Sequence, residues 1–149
     1  MNLYGVLFLI AASLLATDAP KADTDTDTDR AKIQGTWKIA AEVENGKETP
    51  PARNEKVRIR FTADKMIVSE GDEKHEATYK LDPERIPSTI EVTPDDGPNK
   101  GKKALGIYQL NGDTLTICLA LGEDKDRPGD FTAKADSGRV LFTLERLKP

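Results

Sequence analysis

From Gly35 onward, apolar and polar residues alternate with period 2, and helical spacing is scarce. Trp37, Ile39, Ala41 and Val43 alternate with Lys38 and Glu42, which predicts a first strand with one buried face, ended by Asn45-Gly46. Residues 47–55, with Pro50-Pro51, read as a loop. Val57, Ile59 and Phe61 alternate with Lys56, Arg58, Arg60 and Thr62 in the clearest strand of the chain. A tight turn at Ala63-Asp64 leads to a strand over 65–69, and Gly71-Asp72 turns the chain again. His75, Ala77, Tyr79 and Leu81 then share one face of a strand that Pro83 ends, because proline has no N–H to give a ladder.

The second half continues the pattern. Residues 89–93 predict a short strand with Ile90 and Val92 on one face, followed by a turn-rich loop over 94–102. Strands over 103–110 and 113–119 are joined by Asn111-Gly112, which predicts a type I′ hairpin with positive φ at both residues. A loop rich in glycine and charge fills 120–129, and 140–147 is the last strand. Phe131-Thr132-Ala133 reads as a separate short strand or as a continuation after a bulge. The result is an all-β chain of about eight strands with hairpin-length connections, an antiparallel up-and-down arrangement that loses its exposed edges by closing into a barrel. Alternating strand directions put the turns at 63–64 and 111–112 at one end, and the loops 44–55, 94–102 and 120–129 at the other, where a mouth is expected. With eight strands, Trp37 and Arg146 fall at the same end. A separate strand at 131–133 would carry Arg146 to the opposite end.

Ahead of the alternation, residues 3–15 form an apolar run of signal-peptide length, too short to span a membrane comfortably. This predicts a signal peptide over 1–19 and export to the periplasm, cell envelope or exterior, with an uncleaved tether as the alternative. No transmembrane domain is expected once the signal is cleaved. Residues 20–30 contain the Asp-Thr repeat, whose like charges and lack of apolar surface predict a flexible linker. The barrel domain is then 31–149. Residues 18–29 carry a balance of −4, and residues 30–149 carry 21 basic and 21 acidic residues. The folded part therefore has no net field to attract nucleic acid, and no nucleic-acid partner is expected.

Catalytic and metal chemistry find little support. His75 is the one histidine, which excludes histidine triads and multi-histidine metal sites. Its place on the face of Ala77 and Tyr79 predicts partial burial. Cys118, the one cysteine, lies in an apolar strand and reads as a small buried hydrophobe. The segment 97–102 lacks both the spacing and the following helix of a phosphate loop. Asp95-Asp96, and Asp124 with Asp126, read as solvated turn residues. No catalytic residue, metal site or cofactor is expected. Tyr79 and Tyr108 point either into a cavity, offering hydroxyls to a ligand, or into an ordinary core. Arg127, in a candidate mouth loop, either meets an anionic ligand or pins the loop to a neighbouring carboxylate.

Several separated phrases resemble a domain family much expanded in planctomycete bacteria, often exported and without an established activity: Gln34-Gly35-Thr36-Trp37, Tyr79-Lys80-Leu81-Asp82-Pro83, Gly106-Ile107-Tyr108-Gln109-Leu110, Asn111-Gly112-Asp113-Thr114-Leu115, Cys118 and Asp126-Arg127-Pro128. The resemblance covers about residues 31–147. Gly35-Thr36-Trp37 also resembles the opening of lipocalins, in which such a tryptophan closes the barrel floor under an arginine of the last strand. That resemblance implies a lipocalin-like barrel and gives Trp37 and Arg146 the floor-closing roles. The function expected is an exported, non-enzymatic barrel that binds a small, partly apolar ligand, with Tyr79, Tyr108 and Arg127 as candidate contacts. The rival is a filled barrel whose partner is an envelope protein.

Overall fold

The alternating segments close on themselves. In the computed structural model, which describes residues 28–122 and 125–148, the chain forms α1 (28–33), β1 (Gly35–Glu44), β2 (Lys47–Glu48), α2 (Pro51–Asn54), β3 (Val57–Phe61), β4 (Lys65–Glu70), β5 (Glu73–Asp82), β6 (Thr89–Pro94), β7 (Ala104–Asn111), β8 (Thr114–Ala120) and β9 (Arg139–Arg146). The expected signal peptide at 1–19, residues 20–27 of the expected linker, and Asp124 lie outside the described residues. Each long strand pairs antiparallel with the next, and β9 pairs back onto β1, so eight strands make a closed barrel. The two-residue β2 is a flap hairpinned onto β1 beyond the point where β3 leaves it.

Inward-facing positions fill the barrel. Trp37, Ile59, Phe61, Tyr79, Ile90, Tyr108, Leu115, Ile117 and Leu144 form one buried cluster with Ile33 of α1. Ile33 is fully buried, a burial that contributes about 2 kcal/mol and fixes the helix against the barrel end. Helical structure at 28–33 was not expected. It includes Thr28 and Asp29, the last two residues of the Asp-Thr repeat.

Three local readings need correction. In β1, Ile39 pairs with Leu144 but Ala41 pairs with Thr143, so a bulge at Ala40 reverses the faces. Trp37 and Ile39 begin the inner face; after the bulge Glu42 lies opposite Phe142 and Glu44 opposite Val140, while Ala41 and Val43 pass to the outer face. At Asn111-Gly112, positive φ occurs at Gly112 (59°) and not at Asn111, which remains the last residue of β7 paired with Thr114. The two-residue loop is therefore Gly112-Asp113, with glycine first as in a type II′ turn. The type I′ pattern occurs instead at Asn45-Gly46, with φ of 50° and 83°, and it creates β2.

Phe131–Ala133 is not a strand. The segment lies against the outer face, where the Cys118 thiol donates to the Thr132 carbonyl at 3.5 Å and Arg139 pairs with Asp130 at 3.0 Å. Cys118 and its cross-strand partner Ile107 are thereby buried outside the barrel wall, and burial pushes the thiol pKa up. No helix among the described residues is long and apolar enough to cross a membrane.

Candidate functional site

The two ends of the barrel are built differently. At one end, α1 and the turns at 62–64 and 111–113 sit over a packed floor. Trp37 is fully buried, and its indole N–H donates to the Ile33 carbonyl at 2.8 Å. The Arg146 guanidinium lies 4.3 Å from the indole centroid. It donates to the Gln34 carbonyl at 2.8 Å and to the Lys32 carbonyl, and its Nε meets Asp113 at 3.2 Å. One cation thus satisfies carbonyls at the C-terminus of α1, the negative end of the helix dipole, while covering an aromatic face. Gly35 adopts φ +124°, a conformation that any side chain would strain, and a Cβ there would also push on Arg146 Nη1 from 2.9 Å.

At the other end lie the connections 45–56 and 95–103, while residues 127–133 of the connection between β8 and β9 run along the outer wall. Here the inner wall of β4, β5 and β6 continues past the packed core into an open cleft of about 300 Å³. Met66, Val68, Ala77, Val92 and Pro94 supply an apolar wall, and Pro98 and Asn99 close it from the loop after β6. The wall follows from register: Met66 pairs with Ala77 and Val68 with His75, while Ala77 also pairs with Pro94. Alternation along each strand therefore puts these side chains on one inner face.

Polar groups enter the cleft from one side. The His75 side chain is 63% exposed, more open than expected, and its Nδ1 lies 2.9 Å from Asp96 Oδ1. The other Asp96 oxygen accepts from the Glu76 N–H at 3.0 Å. That backbone bond, followed by the one from His75, holds the Asp96 carboxyl below the ordinary carboxylate range. Asp95 next to it accepts from Lys65 at 2.6 Å and from Thr78 at 3.1 Å, and Lys65 in turn depresses its pKa. The neighbouring aspartates, expected to be merely solvated, are the fasteners that hold the loop 95–103 over β4 and β5.

The sequence-derived candidates lie elsewhere. Tyr79 is in the core: its hydroxyl donates to the Thr62 carbonyl at 2.5 Å, its ring meets Phe61 edge-on at 5.2 Å, and burial raises its pKa. Tyr108 is 2% exposed, and its hydroxyl donates to Asp29 at 2.5 Å. Burial and then that bond raise its pKa strongly. Arg127 reaches the outer face of the β6–β7 pair, donating to the carbonyls of Ile90 at 3.0 Å and Gly106 at 2.7 Å and meeting Glu91 at 3.4 Å. It pins its loop to the sheet, as the loop-pinning alternative has it, with backbone carbonyls as the main acceptors. None of the three lines the mouth cleft. The signal for the wall of this cleft was present in the apolar positions Met66 and Val68, which lie on the same inner face.

The arrangement offers apolar contact and a few hydrogen-bonding groups, a composition suited to holding a small molecule. Among the described residues, no group of three or more histidine, cysteine or acidic side chains could hold a metal ion. Residues 33–135 match the family model of the lipocalin-like domain. No curated protein and no solved structure matches the chain.

Proposed function

The chain belongs to the family of lipocalin-like domains, and from that premise we propose that it is an exported binding protein that holds a small, partly apolar molecule at its barrel mouth, without chemistry of its own. The observation that carries this reading is the open apolar cleft walled by Met66, Val68, Ala77, Val92 and Pro94. Its volume of about 300 Å³ lies at the small end of the roughly 300–1,000 Å³ typical of ligand sites. The packed floor under Trp37 confines a ligand to the mouth half. The apolar run at 3–15 supports export.

The test is native mass spectrometry of protein purified from its own host. A small molecule should travel with the wild type and be lost from Val68→Glu, which puts a charge on the cleft wall. Protein that carries no adduct under gentle desolvation contradicts the proposal.

A second reading, an interaction module for an envelope protein, draws on one feature. Ile86, in the loop after β5 at the floor end, is 99% exposed. If that loop docks a partner, Ile86→Ser abolishes capture of the partner while leaving small-molecule binding intact.

A further inference from the structure

We propose that His75 sets the ligand class of the mouth cleft, selecting small apolar molecules that bear an O–H or N–H donor, such as alcohols and amines, over those that bear a carboxylate. The inference rests on the reading of the cleft as a binding site and adds the chemistry of the head group.

The imidazole lines the cleft with one nitrogen already engaged, Nδ1 against Asp96 at 2.9 Å. An ionised carboxylate can only accept, so Nδ1 carries the hydrogen of that bond. In the neutral ring this leaves Nε2 as an acceptor, its tautomer fixed by the bond on the other side. Asp96 is well held as the anion, since one oxygen takes the Glu76 N–H and the other the His75 ring. The loop that carries it is fastened a second time through Asp95 to Lys65. The orientation of the ring is therefore built into the fold.

The remaining polar lining groups point the same way. Asp96 is an acceptor and Asn99 offers both donor and acceptor, while Glu76 alternates with inward-facing His75 and Ala77 and so belongs to the outer face. An alcohol or an ammonium group has a hydrogen to give to Nε2 and gains from the acidic surroundings. A ligand carboxylate has none to give and meets the like charge of Asp96. Lys100, a cation that acts on Asp96, offsets part of that repulsion but does not line the cleft. The apolar wall takes the hydrocarbon part in every case, so the head group decides between ligands of equal chain length.

The experiment is an amide ¹H–¹⁵N NMR titration of the full chain with octan-1-ol, octylamine and octanoate separately, at pH 8.5. Octanol and octylamine should shift amides of residues 66–68, 75–77 and 96–99, with octanoate at least about tenfold weaker from a lost hydrogen bond and like-charge repulsion. His75→Leu, at an exposed position, should weaken octanol and narrow its advantage over octanoate to about threefold or less. Octanoate binding as tightly as octanol overturns the assignment while leaving the cleft a binding site. An undiminished gap in His75→Leu overturns it too, since the selectivity then lies elsewhere. The absence of shifts with all three probes overturns this inference and the reading beneath it together.

Discussion

Arg146 stacks on Trp37, with its guanidinium carbon 4.3 Å from the indole centroid, and so joins the last strand of the barrel to the first. The two residues are also direct partners in the β1–β9 pairing. The same guanidinium serves the carbonyls of Lys32 and Gln34, while the indole N–H serves that of Ile33. Two side chains thus close the barrel, seat the helix across its end and leave the mouth as the open end.

Removing the cation should be costly. Arg146→Leu loses a cation–π contact of about 0.5–2 kcal/mol and two hydrogen bonds to exposed carbonyls that water can take over, for a total of about 1–3 kcal/mol. Arg146→Lys should recover part of this, because one ammonium cannot reach both carbonyls and cover the ring in the same geometry. Urea denaturation midpoints for the two variants check the order. Equal midpoints for Leu and wild type would show that the floor is held by packing alone.

Gly106 should tolerate no side chain. A Cβ there would stand 2.5 Å from the Cys118 carbonyl oxygen and 2.5 Å from Leu119 Cδ2. The backbone oxygen cannot swing aside, so Gly106→Ala should destabilise by about 1–3 kcal/mol or more and disturb the β7–β8 ladder. Thermal unfolding followed by circular dichroism reads this directly. A melting temperature within a degree of wild type would mean that the two strands do not approach so closely.

Gly112 is a contrasting case. Nothing lies within 4 Å of a Cβ built there, yet its φ is +59°. Gly112→Val should cost about 1 kcal/mol or more through backbone strain alone, and Gly112→Asn clearly less. Two variants of equal stability would place the turn differently.

The loop over the cleft should respond to acid. Asp95 and Asp96 have depressed pKa values in the fold, the first chiefly through Lys65 and the second chiefly through the Glu76 N–H. A depressed carboxyl contributes stability that is present above its unfolded value, near 3.9, and is lost as pH falls through the lower folded value. Hydrogen-exchange protection of residues 95–101 should therefore fall below about pH 4 before that of β8 does. In the doubly substituted Asp95→Asn, Asp96→Asn protein this acid step should vanish. Its persistence would assign the response to other carboxyls.

The barrel, its strand directions and its loop-bearing end were legible because alternation is a property of each strand taken alone. Val57, Ile59 and Phe61 face the core whatever their neighbours do. Features set by pairing were less legible. The bulge at Ala40 depends on how β1 meets β9, and two adjacent alanines carry no mark of which is the extra residue. The helical residues 28–33 carry no apolar period of their own, and two of them lie in a repeat that reads as spacer. Ile33 at their end is buried among residues distant in sequence, a contact that the local pattern does not mark.

The site shows the same division. Tyr79 and Tyr108 are amphipathic, so periodicity places their rings inward but does not say where the hydroxyls go. Thr62 and Asp29 capture them. Arg127 was in the right loop for a mouth but is drawn to two backbone carbonyls on the outer wall. His75 and Asp96 meet from 21 positions apart, a contact that only the closure of the loop after β6 creates.

The central claim, that the mouth cleft holds a small molecule, is tested most directly by crystals soaked in 8-bromooctan-1-ol and measured at the bromine absorption edge. The account predicts an anomalous peak against the apolar wall of Met66, Val68, Ala77 and Val92, with the hydroxyl toward His75. A peak that forms instead beside Ile86 at the opposite end, or no peak in crystals whose mouth is open to solvent, would contradict it.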